Sequence, residues 1–141
     1  MSLFRIMDIA GSALAAQSVR LNVTASNMAN ADSISSSVDA TYRARHPVFA
    51  TMIDAETGSF NLDPIGAGVQ VEGVIESQAP LRSVYQPDHP LADVDGYIHM
   101  PNVNMVEEMA NMISASRSYQ TNVEVANAAK QMMLRTIALG Q

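Results

Sequence analysis

From Leu3 to Asn30 large apolar side chains return every seven residues, at Met7, Leu14, Leu21 and Met28, with Phe4, Ala10/Gly11, Ser18 and Ala25 between them. Apolar positions alternating by threes and fours mark a helix with one apolar stripe. The second seam of this stripe is built of small residues, which let a partner helix approach closely. No Pro and a single Gly, Gly11, fall in the stretch, so about 27 residues are predicted to form a helix roughly 40 Å long. A second stripe starts at Met105 and runs through Met109, Met112, Ser116, Tyr119, Val123, Ala126, Lys130, Met133 and Ile137. Its length predicts a helix of roughly 50 Å. Asn102 or Asn104 can cap its start, Glu107 and Glu108 suit the positive end of the helix dipole, and Arg135 followed by Gly140 marks the stop.

Between the two stripes the pattern changes. "SISSSVDA" (33–40) is a polar, Ser-rich loop. "GVQVEGVIES" (68–77) alternates Val69, Val71 and then Val74 with polar residues and reads as a strand, with Gly73 at a bulge or bend. "LRSVYQ" (81–86) suggests a second strand, and Asp95-Gly96 signals a tight hairpin leading into "YIHM". Pro80, Pro87, Pro90 and Pro101 restrict these strands to short or edge pieces. The expected fold class is α+β: two long terminal helices packing as a coiled-coil-like pair, with a small β-rich insertion between them. The expected division is an N-terminal axial helix (1–32), a loop and β-rich middle (33–100), and a C-terminal axial helix (101–141).

Composition sharpens this picture in three ways. The 141 residues suit one modest domain, yet aromatic residues make up only 5%, Trp is absent, and ten Met supply adaptable apolar surface instead. The net charge of −6 is concentrated: between Ala50 and His99 stand eight acids (Asp54, Glu56, Asp63, Glu72, Glu76, Asp88, Asp93, Asp95) against one base, Arg82. An acidic middle without a basic patch argues against nucleic acid and against anionic membrane surfaces. Cys is absent, which excludes disulfides and thiolate chemistry. No cleavable signal peptide is expected, because Arg5 and Asp8 interrupt the N-terminus, and no run approaches the ~20 apolar residues of a membrane span.

Candidate chemistry is sparse. Asp88, His89, Asp93, Asp95 and His99 form the best cluster for a metal or hydrolytic site. Asp93-Val94-Asp95-Gly96 looks like a calcium-loop fragment, but in register the first and twelfth ligands would be Leu91 and Asn102. A charged turn before a hairpin accounts for the same residues. His46 and His89 each precede a Pro, neither lies in a helical ligand spacing, and no serine elbow or phosphate loop is present. The sequence therefore points to no catalytic residue, no cofactor and no metal.

The helices carry the information. Residues 1–31 hold only Arg5, Asp8 and Arg20 as charges, and their polar face is Ser12, Gln17, Ser18, Asn22, Thr24, Ser26, Asn27 and Asn30. Asn111, Ser114, Ser116, Ser118, Gln120, Thr121, Asn122, Asn127 and Gln131 repeat the vocabulary in the C-terminal stripe. Ser, Thr and Asn are poorer helix formers than the Glu and Lys of solvated helices. Beside other helices, neutral amides and hydroxyls pair without the desolvation penalty of a charge. Helices contacted on several sides follow, and identical copies meeting through different faces build a helical filament unless the contacts close into a ring. A two-helix hairpin with a neutral outer face is the alternative on the same residues.

Several stretches resemble the flagellar basal-body rod proteins of the rod and hook axial superfamily. "LNVTASNMANADS" (21–33) resembles the Asn-rich motif of the whole superfamily. "YRARHPVF" (42–49), "YQPDHPLADVDGYIHMPNVN" (85–104) and "EMANMISASRSYQTNVEVANAAKQMM" (108–133) are similar to the proximal-rod subunits in particular, in the family's order over most of the chain. The Ser-rich linker 33–41 departs from the pattern, which places glycine ahead of Tyr42, and 50–65 has no counterpart. The resemblance implies a non-enzymatic subunit of the periplasmic rod, the drive shaft that transmits torque, exported by the flagellar type III apparatus without a cleaved signal. Its implied partners are copies of itself, other rod proteins and the export-gate adaptor at the rod base. The implied assembly interface comprises Met7, Leu14, Leu21, Asn27, Met28, Asn30, Asn102, Asn104, Met109, Met112, Tyr119, Asn122, Val123, Asn127, Met133 and Ile137, with Asn27 and Asn30 bonding neighbouring subunits. The segments 1–45 and from 100 onward are expected to be largely disordered in the free subunit and to fold on assembly. A self-contained helical oligomerisation or adaptor module, another rod subunit, and a metal-dependent hydrolase at Asp88–His99 are the rival readings.

Overall fold

The structure, a computed structural model, describes residues 3–53 and 66–138. Six elements follow in order: α1 (Leu3–Asn30), β1 (Arg45–Ile53), β2 (Gly66–Glu76), β3 (Arg82–Tyr85), β4 (Tyr97–Met100) and α2 (Met105–Ala138). Both helices span the residues their periodicity marks out. Asn104 caps α2: its side-chain Oδ1 accepts from the Val106 amide at 3.1 Å and its carbonyl from Glu108 N at 3.0 Å. The stop expected at Gly140 lies outside the described residues.

The helices run antiparallel. Ala31, at the end of α1, packs with Val103, just before α2, and with Ala44 and Tyr42. Further along, Arg20 Nη2 donates to Asn111 Oδ1 at 3.1 Å. The buried positions are Ala10, Ala16, Thr24, Asn27 and Ala31 on the α1 side, and Glu108, Ala115 and Ala129 on α2. Apart from Asn27 and Glu108 these are small residues, and the large side chains of the two stripes lie to their flanks. Leu14, Leu21, Met28, Met112, Val123 and Met133 are half-buried, whereas Met7, Met109, Tyr119 and Ile137 are exposed. Small side chains bring the two backbones close, and that proximity pushes the bulkier neighbours outward.

β1 and β2 form a long antiparallel ribbon that lies on α1. β1 escaped the alternation analysis, because Pro47, Val48, Phe49 and Ala50 form a continuous apolar run. The bulge falls at Glu72, which is left unpaired between Val48↔Gly73 and Phe49↔Val71, one residue from the expected Gly73. At the far end of the ribbon Ser12 Oγ accepts from Val69 N at 3.1 Å. Gly68 makes this approach possible: its φ is +149°, and a Cβ there would sit 2.4 Å from Ser12 Oγ.

β3 and β4 form a separate two-stranded antiparallel sheet. The tight hairpin expected at Asp95-Gly96 is instead the closing turn of the long loop 86–96. Gly96, at φ +80°, packs beneath the Tyr85 ring. Asp93 Oδ1 ties the turn by accepting from Asp95 N and Tyr97 N, both at 2.9 Å. The far edge of β4 bridges to the Ser-rich linker, where Ser35 and His99 exchange backbone hydrogen bonds at 3.0 Å.

Candidate assembly surfaces and the asparagine node

Where the helix ends meet the ribbon, two asparagines hold one short segment from opposite sides. Asn27 is 1% exposed. Its Oδ1 accepts from Tyr42 Oη and from Arg45 N, each at 2.9 Å, and its Nδ2 donates to Arg45 O at 2.8 Å. Asn102 completes the clasp: its Oδ1 accepts from Ala44 N at 2.8 Å, and its Nδ2 donates to Ala79 O at 2.9 Å. Ser77 N then donates to Ala44 O at 2.7 Å. A carboxamide offers both a donor and an acceptor, so one side chain can replace the missing strand partner of a backbone position. The backbone at Ala44 and Arg45 is thereby paired on both sides, as buried polar backbone must be.

Within the single chain Asn27, of which an intersubunit role is expected, engages its carboxamide with Tyr42 and Arg45. Asn30 likewise donates to Ser26 O of its own helix at 2.8 Å, and Asn122 to Ser118 O at 2.9 Å. Asn127, by contrast, is exposed on α2. Arg45 also lies over the Tyr42 ring at 5.3 Å and reaches Glu76 Oε1 at 3.2 Å. Both partners of that ion pair are about half exposed, so it adds little to stability.

The helix surfaces away from this node present apolar side chains to solvent. Val106 is 75% exposed, Ile113 55%, Leu134 58% and Ile137 60%, with Met109 and Met132 beside them. Phe4 and Met7 do the same on α1. Single exposed apolar side chains are ordinary, but ridges of them at helical spacing mark contact surfaces. Val106, Ile113 and Leu134 fall outside the heptad positions counted from Met105. They were missed because that count assumed one stripe where α2 has two apolar sides.

The Asp88–His99 cluster is a turn device. Asp93 Oδ2 lies 3.4 Å from His99 Nε2, His99 Nδ1 lies 3.3 Å from Ser83 Oγ, and His89 Nδ1 accepts from Leu91 N at 3.1 Å. The hydrogen bond from Tyr97 N, reinforced by Asp95 N and the nearby His99, holds the Asp93 carboxyl below its ordinary value against a smaller opposing effect of desolvation. Among the described residues no group of three acids and histidines is placed to hold a metal ion, and no helix is long and apolar enough to cross a membrane.

Comparison with known proteins converges with this geometry. Residues 7–33 match the family described as flagella basal body rod protein, and residues 94–139 match the flagellar basal body rod FlgEFG protein C-terminal family. The two matches cover α1 and the loop-to-α2 region that the node joins. Over the full length of both chains, the flagellar basal-body rod protein FlgC of Salmonella typhimurium is 57% identical, that of Escherichia coli O6:H1 56%, and that of Buchnera aphidicola from Baizongia pistaciae 38%.

Proposed function

The chain belongs to the FlgC family of flagellar basal-body rod proteins, and from that membership we propose that it polymerises through the outer faces of α1 and α2. It is a structural subunit of the flagellar rod. End-to-end identity of 57% to a rod protein, with no part of either chain left over, is the observation that carries this role.

The finer reading follows from the surfaces. The interface comprises the apolar and aromatic members of the expected set, Met7, Leu14, Leu21, Met28, Met109, Met112, Tyr119, Val123, Met133 and Ile137, with the exposed Asn127, extended by Val106, Ile113 and Leu134. Asn27, Asn102 and Asn104 serve it indirectly by fixing how the helices leave the β-rich middle. The division 1–32, 33–100 and 101–141 describes axial helix, middle and axial helix, with the acidic middle facing outward. Neighbours are copies of the chain, other rod proteins and, at the base, the export-gate adaptor. The subunit acts without catalysis in the periplasm, delivered by the flagellar type III apparatus.

Met109→Glu combined with Ile137→Glu tests this, produced in a flagellate host lacking its own copy. The helix content of the purified variant should match the parent, because both positions are exposed, while swimming should be abolished. Normal swimming of the double variant would overturn polymerisation through the outer face of α2.

A further inference from the structure

The backbone of the β3–β4 hairpin lies apart from those of the helices and of the β1–β2 ribbon. Ile98 of β4 is buried, while the hairpin's backbone links run through loops and the Ser35–His99 bridge. Two strands alone are marginal in water, and a third strand or a packed face is what stabilises them. On the β4 side Ser35 provides one bridge of such a strand. On the β3 side nothing does.

The geometry of that open edge is defined. His99 turns its backbone N–H and C=O to Ser35, and Tyr97 turns its own to Asp93. Ser83↔His99 and Tyr85↔Tyr97 are therefore the non-hydrogen-bonded pairs of the hairpin, so Ser83 and Tyr85 direct their N–H and C=O groups away from β4. No described residue bonds to them, and all four residues of β3 are exposed. The edge is short, four residues between Pro80 and Pro87, and within it there is neither Pro nor a bulge, with Arg82 at its start as its only charge.

At the end of this edge the side chains are arranged as an anchor. Tyr85 and Tyr97 meet edge to face with centroids 5.2 Å apart, and Tyr85 remains 63% exposed. A hollow of about 480 Å³ opens beside it, lined by Tyr85, Pro87, Asp88 and Pro90 among others. Asp88 lines that hollow, Asp95 precedes Gly96 in the same loop, neither forms an ion pair among the described residues, and the loop 86–96 holds no Lys or Arg. Gly96 under Tyr85 and the bonds to Asp93 hold the platform in place before any partner arrives. Exposed tyrosine faces with unpaired carboxylates attract Lys or Arg, through the ring quadrupole and charge together.

We propose that the open edge of β3 takes up an extended, basic segment of another protein chain, which adds as a strand at Ser83 and Tyr85 and places a Lys or Arg against Tyr85, Asp88 and Asp95. Main-chain pairing supplies affinity in this mode of recognition, and the tyrosine–carboxylate corner supplies selectivity. This surface is distinct from the helix faces used for polymerisation and does not rest on that reading.

The test is an amide-resolved NMR titration of the full chain with an octapeptide of alternating lysine and valine, and with its glutamate–valine counterpart. The expected result is shift changes confined to β3, Tyr97 and the loop 86–96, with the acidic peptide binding at least about tenfold more weakly. Ser83→Pro, which removes an outward N–H, should abolish binding. Asp88→Asn with Asp95→Asn, which leaves the loop bonds intact, should abolish the preference for lysine. Equal binding of the two peptides, shifts centred on α1 or α2, or no shift at millimolar peptide would each overturn the proposal.

Discussion

At position 27 a side chain of one carboxamide closes three hydrogen bonds to Tyr42 and Arg45 while 1% exposed. Removing it leaves the Arg45 N–H and C=O unpaired in a buried place, where each such group costs about 1–3 kcal/mol. Asn27→Leu should therefore destabilise the chain by about 3 kcal/mol in urea unfolding, whereas Asn30→Leu, whose amide bonds only its own helix, should stay within about 0.5 kcal/mol. Equal effects would mean that the node is not what the Asn-rich motif serves. Asp93 makes a second residue-scale prediction. Its carboxyl is held below the ordinary aspartate range, chiefly by the hydrogen bond from Tyr97 N. A carboxylate whose folded value is lowered contributes stability above its unfolded value and loses it as pH falls through the folded one. The protection factor of the Tyr97 amide, taken relative to its intrinsic exchange rate at each pH, should thus be flat from neutral pH to the unfolded value and fall only below it, and Asp93→Ala should show low protection throughout.

Between elements, the ribbon is fixed to α1 at its two ends by different means, the node at Arg45 and the Ser12–Val69 bond under Gly68. Gly68→Ala would force a Cβ to 2.4 Å from Ser12 Oγ at a φ that L-residues rarely adopt. It should cost about 1–3 kcal/mol and speed exchange at Val69 while leaving Arg45 protected; loss of protection at both ends would show the ribbon docks as one unit. This contact also marks the limit of what the sequence discloses. Helix ends were legible because Asn104, the absence of Pro and the heptad steps are local signals. β2 was legible from alternation, and β3 and β4 from the short run at 81–86 and the turn at Asp95-Gly96. β1 was not, since a continuous apolar run has no period. Nor was the buried line: large side chains dominate any periodicity count, yet Ala10, Ala16, Ala115 and Ala129 lie buried beside Thr24, Asn27 and Glu108. The roles of Asn27 and Asn102 needed partners far along the chain, Tyr42 and Arg45 at 15 and 18 positions from Asn27 and Ala44 at 58 from Asn102, which no local pattern connects.

For the whole subunit, the decisive quantity is what the single chain leaves unburied. Among the described residues the buried apolar side chains are six alanines with Ile98, Pro101 and Val103, while Val106, Ile113, Leu134 and Ile137 face water. Stabilisation scales with apolar area removed from solvent, so an alanine seam holds two long helices only weakly. The structure departs here from the expectation of terminal segments that are unfolded in the free subunit: α1 and α2 are helical and packed on each other. What survives of that expectation is a gradient. Hydrogen exchange of the free subunit should protect most strongly the node, from Asn27 to Arg45 and around Ile98 to Val103, where the hydrogen bonds and the larger buried side chains coincide. Protection should fall along both helices toward Phe4 and toward Leu134, and assembly should raise it there most, because that is where apolar surface remains to be covered. Uniform slow exchange along both helices in the free subunit would mean that the seam alone is sufficient, and that assembly adds contacts without adding order. Exchange as fast at the node as at the helix ends would restore the unfolded free subunit and make the asparagine clasp a product of assembly.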